Sequence, residues 1–87
     1  VEFMKPLTDV EVKESETATL ECEISKSDMP ATWLKSGHAI TAGDKTEIIV
    51  DGTFHRLIIK DAKMDDQAEY TIQVADKTSQ ASVFVEG

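Results

Sequence analysis

The single tryptophan, the single cysteine and the single tyrosine of this chain each stand on a separate run in which apolar and polar residues alternate. From Thr17 to Ser25, Ala18, Leu20, Cys22 and Ile24 alternate with Thr19, Glu21 and Glu23. Side chains on a strand point to opposite faces with a period of two, so these residues form an inner and an outer set. Trp33 is the inward residue of the apolar run Ala31–Lys35, and Ala68, Tyr70, Ile72 and Val74 share one face of a later run. Three half-buried strands, two of them carrying a large aromatic inward, require a second layer to cover them. The chain of 87 residues must build that layer without a disulfide, because Cys22 has no cysteine to pair with.

The other runs fit the same all-β pattern. Phe3 and Met4 begin an apolar stretch that Pro6 breaks, and Val10-Glu11-Val12 resumes it. Proline has no amide proton for a ladder, so a first strand split in two is predicted. Asp28-Met29-Pro30 reads as a loop, Ser36-Gly37 and Ala42-Gly43-Asp44 as turns around a weak segment at 38–41. Asp51-Gly52 between two alternating runs predicts a two-residue hairpin turn. Pairing outward from it sets Val50 opposite Thr53, Ile49 opposite Phe54 and Ile48 opposite His55, with Leu57 and Ile59 inward. Ala62 and Met64 continue the buried side of the following crossing. Asp76-Lys77 is a turn, and Ala81, Val83 and Val85 form the inner face of the last strand. No run has a helical period. One domain over residues 1–87 is expected.

Composition narrows the function. Net charge is −8, which argues against nucleic acid and anionic membrane as partners. No apolar run approaches membrane-spanning length, and no signal-peptide pattern occurs. A small domain built for an oxidising compartment carries paired cysteines, so a lone inward thiol fits the cytosol. Forgoing the bridge gives up about 2–5 kcal/mol, which core packing must cover.

No catalytic constellation is visible. His38 and His55 lack metal-ligand spacing, and His55 reads as a packed or half-exposed structural histidine at the sheet rim. Ser36-Gly37-His38 lacks the orienting acid of a triad. A buried apolar thiol at Cys22 is inert. Asp44, Asp65 and Asp66 do not make an EF-hand loop. No cofactor and no metal are expected. The outward apolar residues Ile49, Phe54 and Ile58 on one sheet form a possible partner surface; Leu34 and Phe84 are placed on the outer face of the other.

Cys22, Trp33, Leu57 and Asp66-x-Ala68-x-Tyr70 resemble the I-set of the immunoglobulin superfamily, a Greek-key β-sandwich, over essentially the whole chain. The opening Glu2-Phe3-Met4-Lys5-Pro6-Leu7 and the stretch Asp51-Gly52-Thr53-Phe54-His55-Arg56-Leu57 are similar to the sarcomeric I-set domains of giant muscle proteins. The titin type comes first, then the myosin-binding protein C, obscurin and myomesin types. Ile72 stands where secreted members carry a second cysteine. The resemblance implies a structural core of Cys22, Trp33, Leu57, Asp66, Tyr70 and Ile72. It also implies a tyrosine corner at Tyr70, with Asp66 accepting turn amides or pairing with a base such as Arg56.

The implied function is a non-enzymatic elastic module of a tandem array in the sarcomere, in the cytoplasm, and monomeric as an isolated domain. Neighbouring immunoglobulin or fibronectin-like domains of the same chain would be its partners. Val10 and Val12, paired in parallel with Val83 and Val85, would be the mechanical clamp. The rival reading is a protein-binding module of a sarcomeric scaffold, contacting a sarcomeric partner through an exposed sheet face or edge.

Overall fold

The computed structural model describes residues 1–87. Nine strands follow in order: β1 (Phe3–Lys5), β2 (Val10–Lys13), β3 (Ala18–Ile24), β4 (Ala31–Lys35), β5 (His38–Ile40), β6 (Thr46–Asp51), β7 (Phe54–Ile59), β8 (Ala68–Val74) and β9 (Lys77–Glu86). A single 3-10 turn, Met64–Asp66, precedes β8. One sheet has the order β1-β3-β7-β6 and the other β2-β9-β8-β4-β5. The two face each other as an all-β sandwich, with inward residues of both sheets merged into one core of 15 buried side chains. Residues at every second position are buried on β3 and β7, as strand periodicity demands.

The split first strand decides the topology. β1 pairs antiparallel with β3 in the first sheet. The chain leaves that sheet at Pro6, buries Leu7, and enters the second sheet as β2. There it runs parallel to β9, with Val10 opposite Val83 and Val12 opposite Val85. Because β2 and β9 run the same way, the start of the chain lies towards one pole of the long axis and Gly87 at the other. The molecule measures 37 × 21 × 20 Å.

Two turns differ from the sequence reading. The β6–β7 hairpin turns on Gly52 and Thr53, not on Asp51 and Gly52: Asp51 pairs with Phe54, Val50 with His55, Ile49 with Arg56 and Ile48 with Leu57. A turn on Asp-Gly would need positive φ at Asp51, and only Gly52 has it, at 64°. Glycine at the first central position is the signature of the other common hairpin turn. Pairing has moved by two residues, one full period, so every side chain keeps its predicted face. His55 consequently lies opposite Val50 rather than Ile48; on its other side it faces Cys22 of β3, and on the inner side of a strand flanked by two others it is fully buried rather than at the rim. The β8–β9 hairpin turns on Ala75 and Asp76, with Val74 paired to Lys77 and Ala75 at φ 55°. Met64, placed inward from the sequence, is 49% exposed, because the 3-10 turn swings it out beside Gly87.

Candidate functional site

The residues singled out from the sequence fall into three places. The first is the core. Trp33, on β4, lies between Ile72 of β8 and Ile40 of β5. Cys22 and Leu57 sit on adjacent strands of the facing sheet, and all four of Cys22, Trp33, Leu57 and Ile72 are at most 1% exposed. Burial first, and the neighbouring Glu21 charge second, push the Cys22 thiol up to about 11. A thiolate is scarce at neutral pH, so Cys22 is a small apolar filler. Labelling by a thiol reagent should run far slower in the native state than in denaturant; equal rates would contradict the inner-face placement. His55 is enclosed with neither ring nitrogen hydrogen-bonded to protein. Burial lowers its pKa, which keeps the ring neutral.

The second place is the corner before β8. The Tyr70 hydroxyl donates to the backbone carbonyl of Asp66 at 2.8 Å. The Asp66 carboxylate accepts the Lys63 amide at 2.8 Å and the Lys45 ammonium at 2.6 Å. Lys35 stands 4.0 Å away and donates to the Asp65 carbonyl. The base is therefore lysine, not Arg56. Arg56 lies on the outer face of the other sheet, where it pairs with Glu21 and covers the Phe54 ring at 5.9 Å. The lysines reach Asp66 from β4 and from the loop before β6, so this carboxylate ties the corner to two other parts of the sandwich.

Burial alone would raise the Asp66 carboxyl. The Lys45 hydrogen bond, the Lys63 amide and the charges of Lys45 and Lys35 outweigh it, and the net shift is downward. A depressed carboxyl stabilises the fold above the ordinary carboxylate range, and that stabilisation is lost as pH falls through the native value. Tyr70 goes the other way: burial, then the Asp66 charge, raise it to about 12. Its contribution is full below about pH 10, the ordinary tyrosine value, and is lost as pH rises through the native one. Asp66→Asn should flatten the acid limb of a denaturant-midpoint profile, and Tyr70→Phe should flatten the alkaline limb. Tyr70→Phe should also cost about 1 kcal/mol at neutral pH, the worth of one hydrogen bond. Unchanged limbs in both variants would contradict this account.

The third place is the parallel seam of β2 and β9. Val10 and Val12 are half-buried against the core, and Val83 and Val85 are buried. Beyond the four paired residues the seam is prolonged by bonds the sequence reading missed. The Glu14 amide donates to the Glu86 carbonyl at 2.7 Å. The Ser82 amide donates to the Asp9 carboxylate at 2.9 Å, and the Leu7 amide to the Ser79 hydroxyl at 3.0 Å. The Val85 amide donates to the Gln67 side chain at 3.1 Å on the other side of β9. Aspartate just after a proline break is a local signal for a backbone acceptor. Its target, 73 residues away, is set only by the fold.

On the outer face of the first sheet, Ile49 lies directly opposite Arg56, with Phe54 and Ile58 two residues to either side of that arginine. The three apolar residues therefore surround a charged pair rather than forming an unbroken patch. No group of three or more His, Cys, Asp or Glu side chains is arranged to hold a metal ion.

The family model for the immunoglobulin I-set domain matches residues 1–86. Titin of Drosophila melanogaster is 39% identical over 85 residues, 98% of this chain. The muscle M-line assembly protein unc-89 of Caenorhabditis elegans is 38% identical over 82 residues, 92% of this chain. The chain spans no more than 1% of the length of either protein. Among solved structures, an IG27 protein domain is 36% identical with a TM-score of 0.95, covering 98% of this chain and 96% of its own. Domain I10 of titin is 37% identical with a TM-score of 0.93, covering 97% and 96%. With the two-sheet order, the buried Trp33 and the tyrosine corner already in place, the match identifies this chain as a member of the immunoglobulin I-set family.

Proposed function

We propose that this chain is a non-enzymatic, tension-bearing module of a tandem array in a sarcomeric filament protein of the cytoplasm. The observation that supports it most is the parallel β2–β9 seam lying between chain ends at opposite poles. Load applied through those ends runs along both strands. The bonds of the seam lie across the load and must yield together in shear, whereas bonds loaded from one end break in turn. On this reading Val10, Val12, Val83 and Val85 are the mechanical clamp, and neighbouring immunoglobulin or fibronectin-like domains hand on the force. Cys22, Trp33, Leu57, Asp66, Tyr70 and Ile72 keep the two sheets together behind it. The similarity to titin and to unc-89 supports the sarcomeric setting.

Pulling geometry tests the mechanism. Single-molecule attachment through the two ends loads the seam in shear. Attachment through the chain start and the exposed β8–β9 turn at Asp76 loads β2 and β9 from the same pole. The first should give the higher unfolding force; equal forces would remove the clamp.

A second reading, a protein-binding module of a sarcomeric scaffold, draws on the outer face of Ile49, Phe54 and Ile58 around Arg56. The fast-type myosin-binding protein C of Gallus gallus is 31% identical over 71 residues.

A further inference from the structure

β6 closes one edge of the first sheet and pairs only with β7. It is six residues long and carries three consecutive β-branched apolar residues, Ile48, Ile49 and Val50. The Lys60 amide bonds the Lys45 carbonyl at 2.8 Å, so the odd-numbered residues of this stretch turn their backbone groups towards β7. The even-numbered ones face outward. The Thr46 carbonyl is taken by the Gly43 amide at 2.8 Å. The amides and carbonyls of Ile48 and Val50 are left as an open template for another strand. Val50, although on the inner side of the strand, is 54% exposed, so the lip of the sandwich is uncovered there.

The charges on this edge select what fits. Glu47, Ile49 and Asp51 share the outer side of β6, placing two carboxylates four residues apart around an apolar centre. A second copy of the chain in the antiparallel register centred on Ile49 would set Glu47 against Asp51 twice. Like charges directly opposite are destabilising, and each copy also carries a net charge of −8. Lys60 reaches Glu47 at 2.9 Å, but both side chains are about half exposed, and a pair of that kind contributes little and exchanges readily.

We propose that the free edge of β6 is a strand-addition site for an extended partner segment. That segment carries lysine or arginine at two positions four residues apart, opposite Glu47 and Asp51, with β-branched apolar residues between them. Backbone bonds to Ile48 and Val50 supply the docking, and the alternate basic positions supply the selectivity. This inference stands apart from the tension reading and uses no residue of the β2–β9 seam.

The test uses a peptide alternating lysine, valine, isoleucine, valine and lysine, and a control with glutamate at both ends. Amide hydrogen exchange of the labelled domain is followed with each. The basic peptide should slow exchange at Ile48 and Val50 by about tenfold or more, leaving the free edge at β5 unchanged. The acidic peptide should leave exchange at both edges unchanged, and Val50→Pro, which removes an edge donor without touching the β7 ladder, should abolish the effect of the basic peptide at Ile48. Sedimentation gives a second readout. Wild type should stay monomeric, while Glu47→Lys or Asp51→Lys makes the edge self-complementary and should produce a dimer that Val50→Pro dissolves. Absence of protection at Ile48 and Val50, equal protection by the acidic peptide, or a wild-type dimer through β6 would overturn the proposal.

Discussion

Trp33→Ala is expected to lower the free energy of unfolding by about 3–5 kcal/mol, the usual range for a buried aromatic cut back to a methyl group. The ring is 1% exposed and lies between Ile72 and Ile40 on β4, an interior strand of the second sheet. Its removal opens a cavity that the facing sheet can close only in part, because the ladders keep each sheet stiff and the other core side chains stay between the two layers. Leu34, the next residue, points to the outer face opposite Thr71 and Ala39 and is half-buried there. Leu34→Ala should cost well under half as much, because a partly covered outer-face side chain that is cut back leaves a site open to water rather than an enclosed cavity. Denaturant midpoints with matched slopes measure both. If Trp33→Ala fails to fold at all, Trp33→Phe keeps most of the ring area and remains measurable. A series in which Leu34 outranked Trp33 would reverse the two faces of β4.

The faces of these strands were legible in the sequence because they depend only on a period of two. Ala18, Leu20, Cys22 and Ile24 are all 1% exposed, and the strand limits at Ala31–Lys35 coincide with the reading. Ile72 was read as inward from the same alternation along β8, and it is 0% exposed. The register of the β6–β7 hairpin was not legible. Asp-Gly and Gly-Thr are both acceptable turn pairs, and the choice between them moves the ladder by a whole period with no change of face. The shift exchanges the β6 partner of His55, Val50 in place of Ile48, while its burial follows from its inward face beside Cys22 of β3. The Asp66 partner was missed for a different one. Lys45 and Lys35 lie in a loop and on a strand distant in sequence, and nothing local distinguishes them from Arg56. Long-range pairing of charges is a property of the assembled sandwich. The side-chain acceptors Asp9, Ser79 and Gln67 at the seam belong to the same class, each compensating for a ladder partner that the strand break or the sandwich corner removes.

Those acceptors bear on the second large effect, the mechanical response to proline in β2. The Glu14 amide donates to Glu86, so strand alternation turns the Val12 amide to the same side, towards β9. Glu11 turns its amide away from β9, where no strand pairs. Val12→Pro therefore deletes a bond of the seam and forces its ring into the ladder, whereas Glu11→Pro deletes none and meets the condition under which edge strands accept proline. Unfolding force measured through the two ends should fall for Val12→Pro and stay close to wild type for Glu11→Pro. Ala42→Pro, in an exposed turn, should also leave the force unchanged. The lost hydrogen bond alone amounts to about 1 kcal/mol, which is a factor of about five in the unfolding rate if the whole of it lies in the barrier. Ring clash and the loss of shear cooperativity add to that. Chemical stability must be measured on the same three variants, because a drop in force that merely tracked a drop in stability would carry no information about the seam. The clamp requires Val12→Pro to lose more force than a variant outside the seam of equal chemical stability, with Leu34→Ala and Tyr70→Phe as the calibrating pair. If force and stability instead fall along one line for all of them, resistance resides in the core as a whole, and the parallel pairing of β2 with β9 is a feature of topology without a mechanical role of its own.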